Sequence, residues 1–488
     1  MKEGYIPKDQ RKTILLLSDD IRTHSGVGTM SKEIVLNTAH HFNWLNLGGA
    51  IKHPECGRAF DISNDINKMT GLNDSSVRVI PSDGYGNASM LRQIVSQEKI
   101  DAIIHFTDPR YWIWLYQMEN EIRQNIPMVF YTIWDDVPYP MYNREFYRSD
   151  DMHLCISRQT ENIVKNVLRD HPKEDWAIKY VPHGIDEGKF FPISNDFEFE
   201  AFKENLLGEE EQDFVVLWNS RNIRRKNASD IILAWRLFLD QLPEEKAKKC
   251  TLVMHTDPVD QNGTDLPRVV ENFCDERHKV IFTGQKYDEK HLNYLYNCSD
   301  AHMFMTDNEG WGLGLTESLT AGRMIIAPVQ GGMQDQMRFE DEKGDWVKFT
   351  TEWPSNADGR YKKCGEWAMP MFPKTRSVKG SPLTPYIFAS QVSIEDAAIA
   401  LMKTYKMGKE ERLKRGMKGR EWVMSDESRF TASNMGVNFI ENLDTLFDKW
   451  EPKPRFQLLK VDDSTILDNH NPNPISTTDE FKKEIAAI

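Results

Sequence analysis

Apolar and polar residues alternate in blocks along this chain. Short apolar runs recur, each followed by a turn-prone polar stretch and then a segment with helical spacing. The runs predict buried strands over 13–18, 42–47, 77–81, 102–106, 128–133 and 152–156. A second set covers 214–218, 251–255, 280–283 and 301–305. Helices are predicted between them over 30–38, 89–97, 113–123 and 158–168, then over 228–239, 287–297, 394–405, 409–424 and 430–450. Strands apolar on both faces, alternating with helices, imply parallel sheets covered on both sides. Ligands on such sheets lie at the carboxyl ends of the strands. That rule singles out Thr107, Asp108 and Arg110, then Trp134, Asp135 and Asp136, then Ser157 and Arg158.

Two such sets of blocks in 488 residues predict two Rossmann-like domains, since one core does not grow to this size. The stretch 190–212 is turn-prone, then acidic and helical, and reads as the linker. The boundaries drawn are 1–195, 196–430, a last helix 431–450 and an extended polar tail 451–488, with an irregular stretch at 333–392. No apolar run nears the ~20 residues that span a bilayer, and the polar first dozen residues do not read as a signal peptide. Six scattered cysteines without a C-x-x-C pair predict free thiols in a reducing, cytoplasmic setting. A net charge of −14 gives no global attraction to nucleic acid or anionic lipid.

The densest chemistry is Glu309-Gly310-Trp311-Gly312-Leu313-Gly314-Leu315-Thr316-Glu317. A strand precedes it and a helix follows, so its glycines expose backbone N–H groups near a helix N-terminus, a setting that attracts anions. Two glutamates here suggest contacts to a hydroxyl-rich ligand. A second cluster, Arg221 to Lys226, follows the strand 214–218 and is rich in cations suited to a phosphate. A Gly26-Val27-Gly28 turn follows the first strand, a weaker sign of the same kind.

With Glu309 and Glu317 in an E-x7-E pattern, the sequence resembles the retaining glycosyltransferases of family 4, over roughly 13–450. Trp311 stands where that family usually has Phe. The resemblance implies the GT-B fold: two Rossmann-like domains with parallel sheets facing an interdomain cleft, and a C-terminal helix crossing back. It implies transfer of a sugar from a nucleotide-diphosphate sugar to a hydroxyl acceptor, with retention. Glu309 is then expected beside the transferred sugar and Glu317 on the ribose. Arg221 and Lys226 are expected on the diphosphate, Gly312 and Leu313 at phosphate or sugar, and Gly26 and Gly28 near the donor phosphate. The base is expected after Gly284, at Gln285 to Tyr287. Asp135 matches an acidic residue at the acceptor or sugar, while Trp134 stands in place of a His. His183 replaces an Asn in the segment leaving the first domain and reads as structural. With no Asp-x-Asp triplet, no metal and no other cofactor is expected.

Other readings stay open at this point. A phosphorylase-like enzyme on the same fold would need pyridoxal phosphate, and no lysine has a recognisable setting for it. A non-catalytic nucleotide-sugar-binding protein is another. The acceptor is a saccharide, a small metabolite, a protein or, less favoured, a hydroxymethylated base in DNA. The DNA reading rests on Arg110, Tyr111, Trp112, Arg144, Tyr147 and Arg148 as the lining for a flipped base.

Overall fold

The structure, a computed structural model, describes residues 4–456 and 479–487. The chain divides into two compact units. The first is formed by the chain up to Gly184, by Gly380–Tyr386 and by residues 432–456. The second is formed by Ile185–Lys379 and Ile387–Thr431.

The first unit is built on an eight-stranded sheet. Its strands are β1 (Lys12–Asp19), β2 (Phe42–Gly49), β3 (Phe60–Asp61), β4 (Val77–Pro81), β5 (Ala102–Phe106), β6 (Met128–Thr132), β7 (Met152–Cys155) and β8 (Ile178–Tyr180). They lie in the order β3-β4-β2-β1-β5-β6-β7-β8. Every pairing is parallel except that of the short edge strand β3 with β4. Leu15 in β1 stands opposite Leu45 on one side and Ile103 on the other. Ile14, Leu15, Leu16 and Leu17 are all fully buried, which explains an apolar run without alternation. The strand order reverses direction between β1 and β5, the crevice where doubly wound sheets bind ligands.

After β1 the helix Gly26–Thr38 begins earlier than its apolar pattern indicates. Ser25 is its N-cap, its hydroxyl accepting from the Gly28 N–H at 2.9 Å. Gly26 and Gly28 therefore stand in the first helical turn rather than in a loop. The single helix expected over 113–123 is two short ones, Ile113–Tyr116 and Glu119–Ile122. Nothing in the local sequence marks that break. The helix Ala432–Lys449 packs on Gly26–Thr38, where a Cβ at Gly436 would lie 2.6 Å from Asn37 Cβ.

The second unit holds six parallel strands: β9 (Phe214–Asn219), β10 (Cys250–His255), β11 (Val280–Phe282), β12 (Ala301–Met303), β13 (Met324–Pro328) and β14 (Ala368–Met371). Their order is β11-β10-β9-β12-β13-β14, again doubly wound, with the reversal between β9 and β12. The loops after β9 and β12 carry the basic cluster and Glu309, so the topology sets both at one edge of one sheet. The stretch 333–392, expected to be irregular, supplies the edge strand β14, the helix Met333–Met337 and the hairpin β15 (Thr375–Ser381) with β16 (Thr384–Gln391). The tail was expected to be extended throughout. Residues 457–478 lie outside the described residues, while Asp479–Ala487 form a helix, which corrects the expectation there. Among the described residues no helix is long and apolar enough to cross a membrane.

Candidate active site

The basic loop and the first glutamate of the motif meet directly. After β9 the chain turns through Arg224–Lys226 into the helix Ala228–Leu239. Asn227, at φ 49°, occupies the left-handed region that Asn tolerates better than most residues. Its amide holds the neighbouring loop, donating to Met305 O at 2.8 Å and Asp307 Oδ1 at 2.7 Å. The backbone carbonyl of Arg225 accepts from Asp307 N–H at 2.8 Å and from the Thr306 hydroxyl at 3.1 Å. The loop after β9 is thus stitched to the loop after β12. In that frame the buried Lys226 ammonium pairs with Glu309 Oε2 and lies 5.6 Å from the Phe304 ring centroid. Arg225 reaches Asn308 O at 2.6 Å and Glu309 at 3.5 Å. Arg221, expected beside Lys226, is exposed and bonded instead to Asp260 at 3.0 Å. Arg225, which the spacing argument did not single out, takes the nearer place.

The second glutamate sits in the helix Leu313–Thr320. Asn219 Nδ2 donates to the Tyr296 hydroxyl at 2.8 Å, which leaves that hydroxyl to donate to Glu317 Oε2. Burial pushes the Glu317 carboxyl up to about 7, against the lowering effect of the Tyr296 hydrogen bond. His302 braces the same corner. Its Nε2 accepts from Asn219 N–H at 3.1 Å, so its Nδ1–H donates to Gly314 O at 2.9 Å. Burial keeps that imidazole neutral, with its pKa lowered to about 3. A Cβ at Gly314 would lie 2.8 Å from His302 Cε1, so only glycine fits there without displacing the ring.

Between the two glutamates, Gly312 has φ 87° and forms the left-handed entry to the helix. The indole of Trp311 is buried and donates to Thr316 Oγ1 at 2.9 Å. Gln336 closes the loop, its Nε2 donating to Trp311 O at 2.6 Å while its Oε1 accepts from Thr316 at 2.9 Å. A Cβ at Gly332 would lie 2.5 Å from Gly310 O, so this second glycine pair lets another loop press on the motif. Beyond β11, Gly284 and Gln285 line an open cavity of about 820 Å3, with Tyr287, Phe202 and His291 among its walls. Tyr287 stacks on His255 at 5.0 Å, a flat aromatic wall.

In the first unit the loops after β1, β5 and β6 carry the remaining candidates. The Gly28 N–H is engaged by Ser25, and a Cβ there would lie 2.4 Å from Thr23 Oγ1, so Gly28 serves close packing. Gly26 is exposed. Asp135 is half-buried, its carbonyl accepting from Gln159 at 2.7 Å. Trp134 is buried under the Arg110 guanidinium, 5.4 Å from its ring centroid. Tyr111, half exposed, stacks on Tyr85 at 4.4 Å, and the Tyr85 hydroxyl donates to Asp19 at 2.9 Å. His183 is buried and held neutral, with its pKa lowered to about 3 by burial, and its Nδ1 shares a hydrogen bond with the Tyr131 hydroxyl at 2.7 Å. That is the structural role expected for it. The base-flipping surface does not form: Trp112 and Tyr147 are fully buried. Arg144 contacts Glu145 and Asp170, and Arg148 precedes β7, at the edge of the sheet away from Arg110.

No protein-family model matches the chain. Mannosylfructose-phosphate synthase of Agrobacterium fabrum is 23% identical over 194 residues, 38% of this chain and 39% of that protein. The match therefore spans well under half the length of that relative. Among solved structures, HepE of Anabaena in complex with UDP and glucose superposes with a TM-score of 0.59 at 13% identity, over 89% of this chain and 100% of that one. Sucrose-phosphate synthase from Thermosynechococcus elongatus gives 0.60 at 15% identity, over 90% and 100%. The UDP-forming trehalose-phosphate synthase of Burkholderia xenovorans, in complex with glucose-6-phosphate, gives 0.59 at 12% identity, over 89% and 100%. At these identities the likeness establishes the fold. The chain has the GT-B fold, with two Rossmann-like domains.

Proposed function

We propose that the protein is a retaining glycosyltransferase, moving a sugar from a nucleotide-diphosphate sugar to a hydroxyl acceptor. The observation that carries this reading is the pairing of Lys226 with Glu309 at the carboxyl edge of the second sheet, in one motif with the Asn219–Tyr296–Glu317 chain. In this reading Lys226, with Arg225 and Arg221, holds the diphosphate. Backbone at Gly312 and Leu313 supports the phosphate or sugar, Glu309 meets the transferred sugar and Glu317 accepts from the ribose diol. The segment after Gly284 takes the base. The bond from the anomeric carbon to the diphosphate oxygen breaks, and a bond to the acceptor oxygen forms on the same face. The leaving phosphate oxygen takes the acceptor's proton. Lys226 stabilises the charge that develops on that oxygen, the work a metal does elsewhere. Glu309, already engaged by two cations, is a poor nucleophile, which favours this route over a covalent intermediate.

The relatives support a saccharide acceptor. HepE is seen with UDP and glucose, the B. xenovorans enzyme with glucose-6-phosphate, and the curated relative is named as a sugar-phosphate synthase. Acceptor recognition then falls to the first unit, where Asp135, Arg110 and Tyr111 stand on the carboxyl-edge loops. The test is a panel of uridine, guanosine and adenosine diphosphate sugars against free sugars and sugar phosphates, read as nucleoside diphosphate release and as product configuration. Release dependent on both donor and acceptor, with retained configuration, is expected. Donor binding without release or hydrolysis under any pairing would favour a non-catalytic binding protein.

A further inference from the structure

The first unit has a second pocket, of about 440 Å3, at the amino-terminal edge of its sheet. Gly28 and Asp135 stand at the other edge. Its charged lining is Arg123, Arg148, Lys173 and Lys453 against Glu119 and Glu145, with His171 beside them. The topology gathers these groups. Arg123 precedes β6, Arg148 precedes β7 and Lys173 precedes β8, three neighbouring parallel strands that start at one edge. Lys453 arrives after the helix Ala432–Lys449, its N–H bonded to Arg123 O at 2.7 Å.

The carboxylates are already shared out. Glu119 serves Arg123 at 2.9 Å and Lys453 at 2.6 Å, Glu145 serves Arg148 at 3.0 Å, and Asp151 serves Arg123 at 2.8 Å. Lys173 is left without an ion pair among the described residues, its ammonium donating to the Asp150 backbone carbonyl. Burial pulls its pKa down to about 8, against the raising effect of the Asp150, Asp151 and Glu119 carboxylates. Arg148 Nε is buried with no hydrogen-bond partner, while Arg148 Nη2 donates to the ring of His171. The lining thus holds four cationic side chains against two carboxylates, with Asp150 and Asp151 offsetting part of that charge. In a chain of net charge −14 this excess of positive charge is local.

We propose that this pocket binds a phosphoryl group, of a phosphorylated metabolite or of free phosphate, through Lys173 and Arg148. A tetrahedral oxyanion accepts from several donors at once, and the volume leaves room for a small metabolite attached to it. The site is separate from the residues assigned to sugar transfer and does not depend on that assignment.

Calorimetry on the full chain at low ionic strength tests it, with inorganic phosphate, glucose 6-phosphate and glucose as probes. Lys226→Met serves as the control that disables the diphosphate clamp of the second unit. Saturable phosphate binding that survives in Lys226→Met and weakens at least tenfold in Lys173→Met and Arg148→Gln is expected. Glucose 6-phosphate binding tighter than phosphate, with glucose silent, identifies a phosphorylated metabolite; equal affinities identify free phosphate. Thermal melting gives an independent readout. Phosphate should raise the wild-type midpoint and leave that of Lys173→Met unchanged. That variant decides the matter even where Arg148→Gln fails to fold. No saturable phosphate binding in Lys226→Met, or binding unchanged by Lys173→Met, overturns the proposal.

Discussion

Donor affinity should rise about tenfold between pH 6 and pH 8, through the titration of Glu317. Its carboxyl is raised to about 7 by burial, so about a tenth of it is ionised at pH 6 and about nine tenths at pH 8. A ribose diol donates two hydrogen bonds that only the carboxylate accepts fully. Each charge-assisted bond contributes roughly 1.5–3 kcal/mol, so Glu317→Ala should weaken donor binding about a hundredfold or more. Tyr296→Phe removes the hydrogen bond that opposes the rise, so the pH step should move further up. Calorimetry with an intact nucleotide-diphosphate sugar is the assay, because its diphosphate does not titrate in this range. Stability carries the opposite sign. A folded-state pKa above the ordinary 4.5 means that the folded chain holds the proton longer. The stability is full below 4.5 and falls as pH rises towards 7, by about 3 kcal/mol in all. Glu317→Gln should lose both dependences. Wild-type affinity flat across pH 6 to 8, or a step that persists in Glu317→Gln, would refute the assignment.

Lys226→Ala should lower kcat by about 10²-fold or more, while Arg221→Ala costs much less, since Arg221 must first leave an exposed pair with Asp260; steady-state kinetics of both variants decides, and equal losses would contradict the geometry. Gly332→Ala puts a methyl 2.5 Å from Gly310 O and should lower kcat/KM by displacing the motif loop, together with a destabilisation of about 1–3 kcal/mol in urea melts. Transferase activity should persist in excess chelator, and a loss that added Mg2+ restores would overturn the metal-independent reading.

The sheets were legible because their strands are buried on both faces. A run such as Ile14 to Leu17 carries no polar interruption that would allow another reading. The strands that escaped notice are those without such a run. β14 reads Ala-Met-Pro-Met, and its proline is tolerated because the strand pairs with β13 alone, at the edge of its sheet. β8 is only three residues long. Early glycines misplaced the start of the helix Gly26–Thr38. Gly28 looked like loop, yet its lack of a side chain is what lets the first turn close on Thr23 and Asp20.

The site was legible where function is local in sequence and obscure where it depends on partners distant in the chain. The motif singles out Glu309 and Glu317 because both lie on one loop-and-helix unit. Spacing gave equal weight to Arg221 and Lys226, but only the second is held inward, by a turn that Asn227 closes in a backbone conformation suited to Gly or Asn. Arg225 was invisible to a spacing rule, since its role comes from contact with Asn308 and Glu309 across two loops. Tyr296 and Asn219 carry no motif at all. Asn219 alone had a signal, as the polar end of a buried strand pointing to the edge where such sheets bind ligands. The same reasoning explains the failed base-flipping surface. Tyr111, Trp112 and Tyr147 look alike in sequence, and burial alone separates the half-exposed tyrosine from the two rings that fill the core. A cluster of aromatic and basic residues is therefore evidence for a binding surface only once the fold has shown which of them reach it.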